Sequence, residues 1–220
     1  SVIGTLGLAG AEISAFDPGS QQLFVTSADG LQVVDLSDPS APGLVTTIDF
    51  TAAPFNLDSS DITSVAVKGG IVAVSVLAAD KAAAGKVVLM DAATGDLLGV
   101  VDVGVHPDNL VFTPDGTKIL VANEGEYLDD GTPGGKGSVS IIDISGGVGA
   151  ATVQTAGFTA FDGQEDALRA AGVRLFGDNS VSDDVEPEYV AISPDGTKAM
   201  VTLQEANAVG LLDIATATFT

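Results

Sequence analysis

Four segments of this chain share one pattern of turns and apolar runs, and such a repeat constrains the fold more tightly than any other feature. Aligned on their turns they read AEISAFDPGSQQLFV, SDITSVAVKGGIVAV, PDNLVFTPDGTKILV and PEYVAISPDGTKAMV. Each opens on a carboxylate, respectively Glu12, Asp61, Asp108 and Glu188. Each is followed by an apolar run that closes on aspartate: Asp35 in QVVDL, Asp91 in VVLMDA, Asp143 in SIIDI and Asp213 in GLLDI. The unit is strand, tight turn, strand, longer loop, strand, with a fourth strand implied. Four-stranded units of roughly 40 to 50 residues are the mark of a β-propeller. The expected fold is therefore all-β, with about four blades and one short helical insertion.

Turn chemistry sets the expected blade limits at about 11–50, 61–103, 106–158 and 187–220. Pro fixes φ and Gly permits positive φ in Asp17-Pro18-Gly19, Pro114-Asp115-Gly116 and Pro194-Asp195-Gly196. The opening carboxylates are 49, 47 and 80 residues apart, so about thirty extra residues precede blade four. This insertion, about residues 159–180, holds the one expected helix, within Phe161 to Gly172, with Asp162 as its cap and Gly172 as its stop. Glu124 to Gly137 is polar and Gly-rich and reads as a mobile loop between the second and third strands of blade three. Phe219-Thr220 falls where the outer strand of blade four should begin, so the ring is expected to be part of a larger one. Further blades or a second chain would complete it, with Val2 to Leu6 as a strand at the outer edge of the last blade.

The formal charge of −22 sets 30 acidic side chains against 8 basic ones. Repulsion disfavours nucleic acid and anionic membranes as partners and favours cations. An acidic surface that keeps an exported protein soluble accounts for the same charge. The lack of cysteine excludes disulfides, thiolate metal sites and Cys nucleophiles. Trp is absent, so the aromatic signature of WD repeats is missing. No apolar run approaches the ~18 residues of a membrane span.

In a propeller the first strand of each blade lines the central channel, so Glu12, Asp61, Asp108 and Glu188 are expected to form an acidic ring. A hard cation such as Ca²⁺ takes six to eight oxygen ligands, for which such a ring is suited. The alternative is that each acid satisfies free backbone N–H groups where its strand begins. A denser group comprises Glu124, Glu126 and Glu205 after the second strands of blades three and four, and Asp183, Asp184, Glu186 and Glu188 in between. Close carboxylates repel unless cations compensate, and a solvated acidic loop is the rival reading. The expected metal ligands are Glu12, Asp61, Asp108, Glu124, Glu186, Glu188 and Glu205. Asp129-Asp130-Gly131 lacks the alternating ligands of an EF-hand and reads as a turn. A single histidine, His106, cannot build a multi-His zinc site and reads as a structural residue or a proton donor at the channel mouth. Serine-hydrolase elbows, P-loops and dinucleotide fingerprints are absent.

The segments HPDNLVFTPDGTKILVANEGE, FTAFDGQEDALRAAGVRLFG and EPEYVAISPDGTKAMVTLQEANAVGLLDIATAT resemble the choice-of-anchor I propeller family, itself similar to mesenchyme-specific cell-surface glycoproteins. The resemblance implies an exported or surface-attached propeller. Some members are labelled alkaline phosphatase, and by that analogy Glu124, Asp108, Glu188 and Glu205 would hold Ca²⁺ against a phosphate ester. Two readings follow: a calcium-binding extracellular scaffold, and a Ca²⁺-dependent phosphomonoesterase. No nucleophile or base triad emerges, which favours the scaffold.

Overall fold

A computed structural model describes all 220 residues and arranges them as four four-stranded antiparallel sheets. Blade one is β1 (Ser14–Asp17), β2 (Gln22–Ser27), β3 (Gly30–Asp35) and β4 (Gly43–Ile48). Blade two is β5 (Ser59–Lys68), β6 (Ile71–Ala78), β7 (Ala84–Asp91) and β8 (Leu97–Val105). Blade three is β9 (Pro107–Phe112), β10 (Lys118–Asn123), β11 (Ser138–Asp143) and β12 (Thr152–Gly157). Blade four is β13 (Pro187–Ile192), β14 (Lys198–Leu203), β15 (Ala208–Asp213) and a two-residue β16 (Thr218–Phe219). Each sheet is a simple meander in which neighbours in sequence are neighbours in space.

The recurring aspartates hold the turns. Asp115 Oδ1 accepts hydrogen bonds from the Thr117 N–H and hydroxyl and from the Thr113 hydroxyl, and Asp195 does the same with Thr197 and Ser193. The aspartates closing the third strands cap the turns that follow: Asp35 accepts from Ser37 N, Asp91 from Ala93 N and Thr94 N, Asp143 from Ser145 N and Asp213 from Thr216 N. A short acid that accepts backbone donors one to three residues on stabilises a turn. These acids are thereby committed to structure. Lys118 and Lys198 add cross-strand pairs to Asp143 and Asp213, which are their register partners.

Period-two alternation sends successive side chains of one strand into different cores. In β6, Val72, Val74 and Val76 pack towards blade one with Phe24, Leu31 and Val33, while Ala73 faces blade three. In β10, Ile119 and Val121 join the core shared with blade two, and Leu120 and Ala122 the one shared with blade four. The inner strands are buried on both faces for this reason, and each fully buried Val, Leu or Ile contributes about 1.5–3 kcal/mol. The outward face of blade four differs: Tyr189, Met200, Val209 and Leu211 are exposed.

Two expectations need correction. No strand forms before Ser14. The opening segment lies instead against the loop after β3, so closely that a Cβ on Gly4 would stand 2.2 Å from the Pro39 carbonyl oxygen. The insertion contains a shorter helix than expected, α1 (Glu165–Ala170), with Gln164 rather than Asp162 at its N-cap and no capping side chain. Asp162 accepts hydrogen bonds from the Ser182 N–H and hydroxyl, which ties it to a second short helix, α2 (Val181–Asp184). Gly172, at φ 102°, follows the end of α1.

Candidate metal centre

The first strands β1, β5, β9 and β13 stand side by side. Hydroxyls of blade two fix β9 through its backbone: Thr63 donates to the Pro107 carbonyl at 2.7 Å and Ser75 to the Asp108 carbonyl at 2.9 Å. On the other side Asn109 Oδ1 accepts from Val190 N at 3.1 Å, locking β9 to β13. Both strands begin with a break in register, between Val121 and Asn123 opposite β9 and between Pro187 and Val190 in β13. Bulges of this kind re-aim side chains. Asp108 and Glu188 sit at these irregular starts.

Glu124 follows β10 directly, and its N–H donates to the His106 carbonyl at 2.9 Å. Gly125 donates to the Val105 carbonyl and adopts φ 68°. Only glycine fits there, because a Cβ would meet the Gly135 carbonyl oxygen at 2.7 Å. Glu186 lies between α2 and β13, and Glu205 in the β14–β15 turn, where Arg174 pairs with it at 3.2 Å. His106, at φ 51°, turns Nδ1 to within 3.0 Å of Glu126 Oε2 and Nε2 to within 3.7 Å of Glu124 Oε2.

Burial and mutual repulsion dominate the electrostatics. Burial raises the Asp108 carboxyl to about 6, with the Glu188 charge adding to it. Glu124 is raised to about 8 by burial, then by the charges of Asp108, Glu188, Glu126 and Glu186. Glu186 is also raised, by burial first, against a hydrogen bond from the Tyr127 backbone, with Glu205 and Glu126 adding to the rise. Glu188 is raised by burial and then by Glu205. Burial pushes His106 down, partly offset by the charge of Glu126. Several carboxylates thus act on one another at one mouth of the central strands, where Arg174 and His106 are the basic side chains paired with them.

The structure therefore gathers Asp108, Glu124, Glu186, Glu188 and Glu205 and leaves out two of the expected ligands. Glu12 precedes β1 and is exposed, and the exposed Asp61 turns Oδ1 back to the N–H of Ile62 at 2.8 Å. Neither is among the charges that act on Asp108 or Glu124. Asp183 and Asp184 also leave the group. Asp183 pairs with Lys136 at 2.8 Å, and the buried Asp184 accepts from the Tyr127 hydroxyl and Phe176 N, both at 2.7 Å. Sequence reasoning missed the joining of His106 to the NEGE segment. The signal available was that one histidine ends the link into blade three and two glutamates end its second strand.

The choice-of-anchor I domain model matches residues 12–220. No curated protein matches the chain. Among solved structures, the Cps50 (Swd1) β-propeller domain of Myceliophteria thermophila is 13% identical with a TM-score of 0.64, over 100% of this chain and 56% of that one. A putative 6-phosphogluconolactonase from Bacteroides uniformis is 13% identical with a TM-score of 0.58, over 96% and 52%. Hydrazine synthase of Kuenenia stuttgartiensis is 18% identical with a TM-score of 0.50, over 93% and 64%. At these identities the likeness is one of fold. The chain spans between about half and two thirds of the length of these structures.

Proposed function

The chain belongs to the choice-of-anchor I domain family, and on that basis we propose that it is an extracellular or cell-surface propeller scaffold whose acidic mouth binds calcium. The observation that carries the calcium reading is the half-burial of Asp108, Glu124 and Glu186 beside Glu188 and Glu205, with ionisation of the raised groups disfavoured by burial and by neighbouring charges. A divalent cation would relieve that repulsion and replace lost water with its own charge. Asp108, Glu124 and Glu188 would supply the central oxygens, and Glu186 and Glu205 the outer ones. The family's description as an anchor domain supports the surface location, as does an acidic exterior suited to solubility. No helix is long and apolar enough to cross a membrane.

Calcium titration of chelator-treated protein by calorimetry, with a thermal melt of the same samples, tests the reading. Saturable binding that raises the melting temperature is expected, with at least a tenfold loss of affinity in Asp108→Asn and Glu188→Gln. Heats no larger than those of salt screening would remove calcium from the account. Turnover of an aryl phosphate by the calcium-loaded protein, abolished in the same variants, would replace the scaffold reading with the phosphomonoesterase one.

A further inference from the structure

We propose that His106, Glu124 and Glu126 form a site for one divalent ion of the borderline class, of which Zn²⁺ is the type, which shares Glu124 with the all-oxygen calcium site. The inference goes beyond the calcium reading and stands without it. One ring nitrogen and one oxygen from each carboxylate already lie within 4.8 Å of one another. Zinc bonds of about 2.0–2.2 Å in tetrahedral geometry place ligand atoms roughly 3.3–3.5 Å apart. Side-chain rotations that move these atoms by about an ångström therefore close the site.

The backbone holds the donors in place before any ion arrives. The Glu124 N–H bonds the His106 carbonyl, so the two residues are fixed neighbours across the blade. The close approach of Gly125 to Gly135 holds the turn that presents Glu126. Nε2 of His106 stands 3.7 Å from Glu124, beyond hydrogen-bond length, so that contact is no hydrogen bond. Neither Glu124 nor Glu126 pairs with a lysine or arginine. The His106 and Glu124 side chains are 19% and 16% exposed, whereas Glu126 is 45% exposed. The site is thus enclosed on two sides and open on the third, which leaves a fourth position for water or an outside ligand.

Donor chemistry sets the class of ion. Imidazole suits zinc and its first-row neighbours, whereas calcium prefers an all-oxygen shell of six to eight ligands. His106 is the one imidazole the chain can offer, and no cysteine thiolate competes with it. That single histidine also makes the test unambiguous, because one pair of imidazole proton signals reports on the site.

The experiment adds ZnCl₂ to chelator-treated, calcium-free protein, followed by calorimetry and by the His106 imidazole signals, with calcium titrated separately. Binding of one equivalent is expected, with the imidazole signals shifting in step. His106→Gln and the half-exposed Glu126→Gln should each weaken zinc by at least tenfold. Both variants should still bind calcium and melt no lower than the parent, which shows that the fold is intact. Zinc that binds equally well to both variants, or that leaves the imidazole signals unmoved, would overturn the site. Zinc binding without calcium binding would refute the calcium reading alone, and calcium binding without zinc binding would refute this inference alone.

Discussion

At the scale of single residues, the acids divide by what their carboxylates already hold. Asp143 and Asp213 sit below the ordinary carboxylate range, first through hydrogen bonds to Lys118 and Lys198 and then through their turn donors. Asp108 and Glu124 move the other way, to about 6 and about 8. A carboxyl raised in the folded state binds more protons there than in the unfolded chain between its two pKa values, so stability falls as pH rises through that interval. The ion-free protein is therefore expected to melt at a lower temperature at pH 8 than at pH 5. Glu124→Gln should flatten that slope. The depressed pair acts only in acid, where its contribution is lost as pH falls below the ordinary carboxylate range. A melting temperature that rises from pH 5 to pH 8 in chelator would show that the mouth acids are not strained by one another. Sequence alignment made Glu12, Asp61, Asp108 and Glu188 equivalent, but only the last two enter this group. The reason lies in local detail that spacing does not carry: Glu12 lies before the start of β1, and the Asp61 carboxylate turns back to the N–H of Ile62.

Single elements show which parts of the fold were legible and which were not. Turn residues and two-residue alternation marked the repeating four-stranded units, because the chemistry that starts and stops a strand is local. The ends of the insertion were not legible, because its anchors are tertiary. Asp162 reaches Ser182 across the insertion, and Asp184 clamps Tyr127 of the β10–β11 loop and the backbone of Phe176. Asn123 is another such anchor. It is fully buried, its Oδ1 accepts from Gly104 N at 3.0 Å, and its Nδ2 donates to the hydroxyls of Ser138 and Ser140 at 3.2 and 3.0 Å. It thereby joins β8, β10 and β11 at the end of the blade that carries Glu124. Asn123→Ala leaves the Gly104 N–H without its acceptor in a buried setting, and losses of about 1–3 kcal/mol follow from one such orphaned group. Chemical denaturation should show that loss as a lower midpoint with an unchanged slope. A change below about 0.5 kcal/mol would mean that water replaces the side chain.

The whole molecule carries two electrostatic problems, and they respond differently to salt. Thirty acids against eight bases give a diffuse repulsion over the entire surface, which 1 M salt screens at a Debye length of about 3 Å. The half-buried acids at the mouth are shielded from that screening by the protein around them. Melting temperature should therefore rise with NaCl in every variant, as the general repulsion is removed. Calcium added on top of 1 M NaCl should raise it further in the parent protein, and should do so far less in Asp108→Asn combined with Glu188→Gln. If calcium has no effect beyond NaCl, its action is that of any counterion on a polyanion. If the extra rise persists in the double variant, the ion sits elsewhere, and the small hollow that Asp61 shares with Asp29 and Asp49 is then the place to mutate. The same division explains how far sequence reading reached. The repeat is a sum over the chain, so blades as architecture could be inferred from it. Which acids meet depends on the register breaks at the β9 and β13 starts and on how these strands dock, and that is a property of the assembled blades.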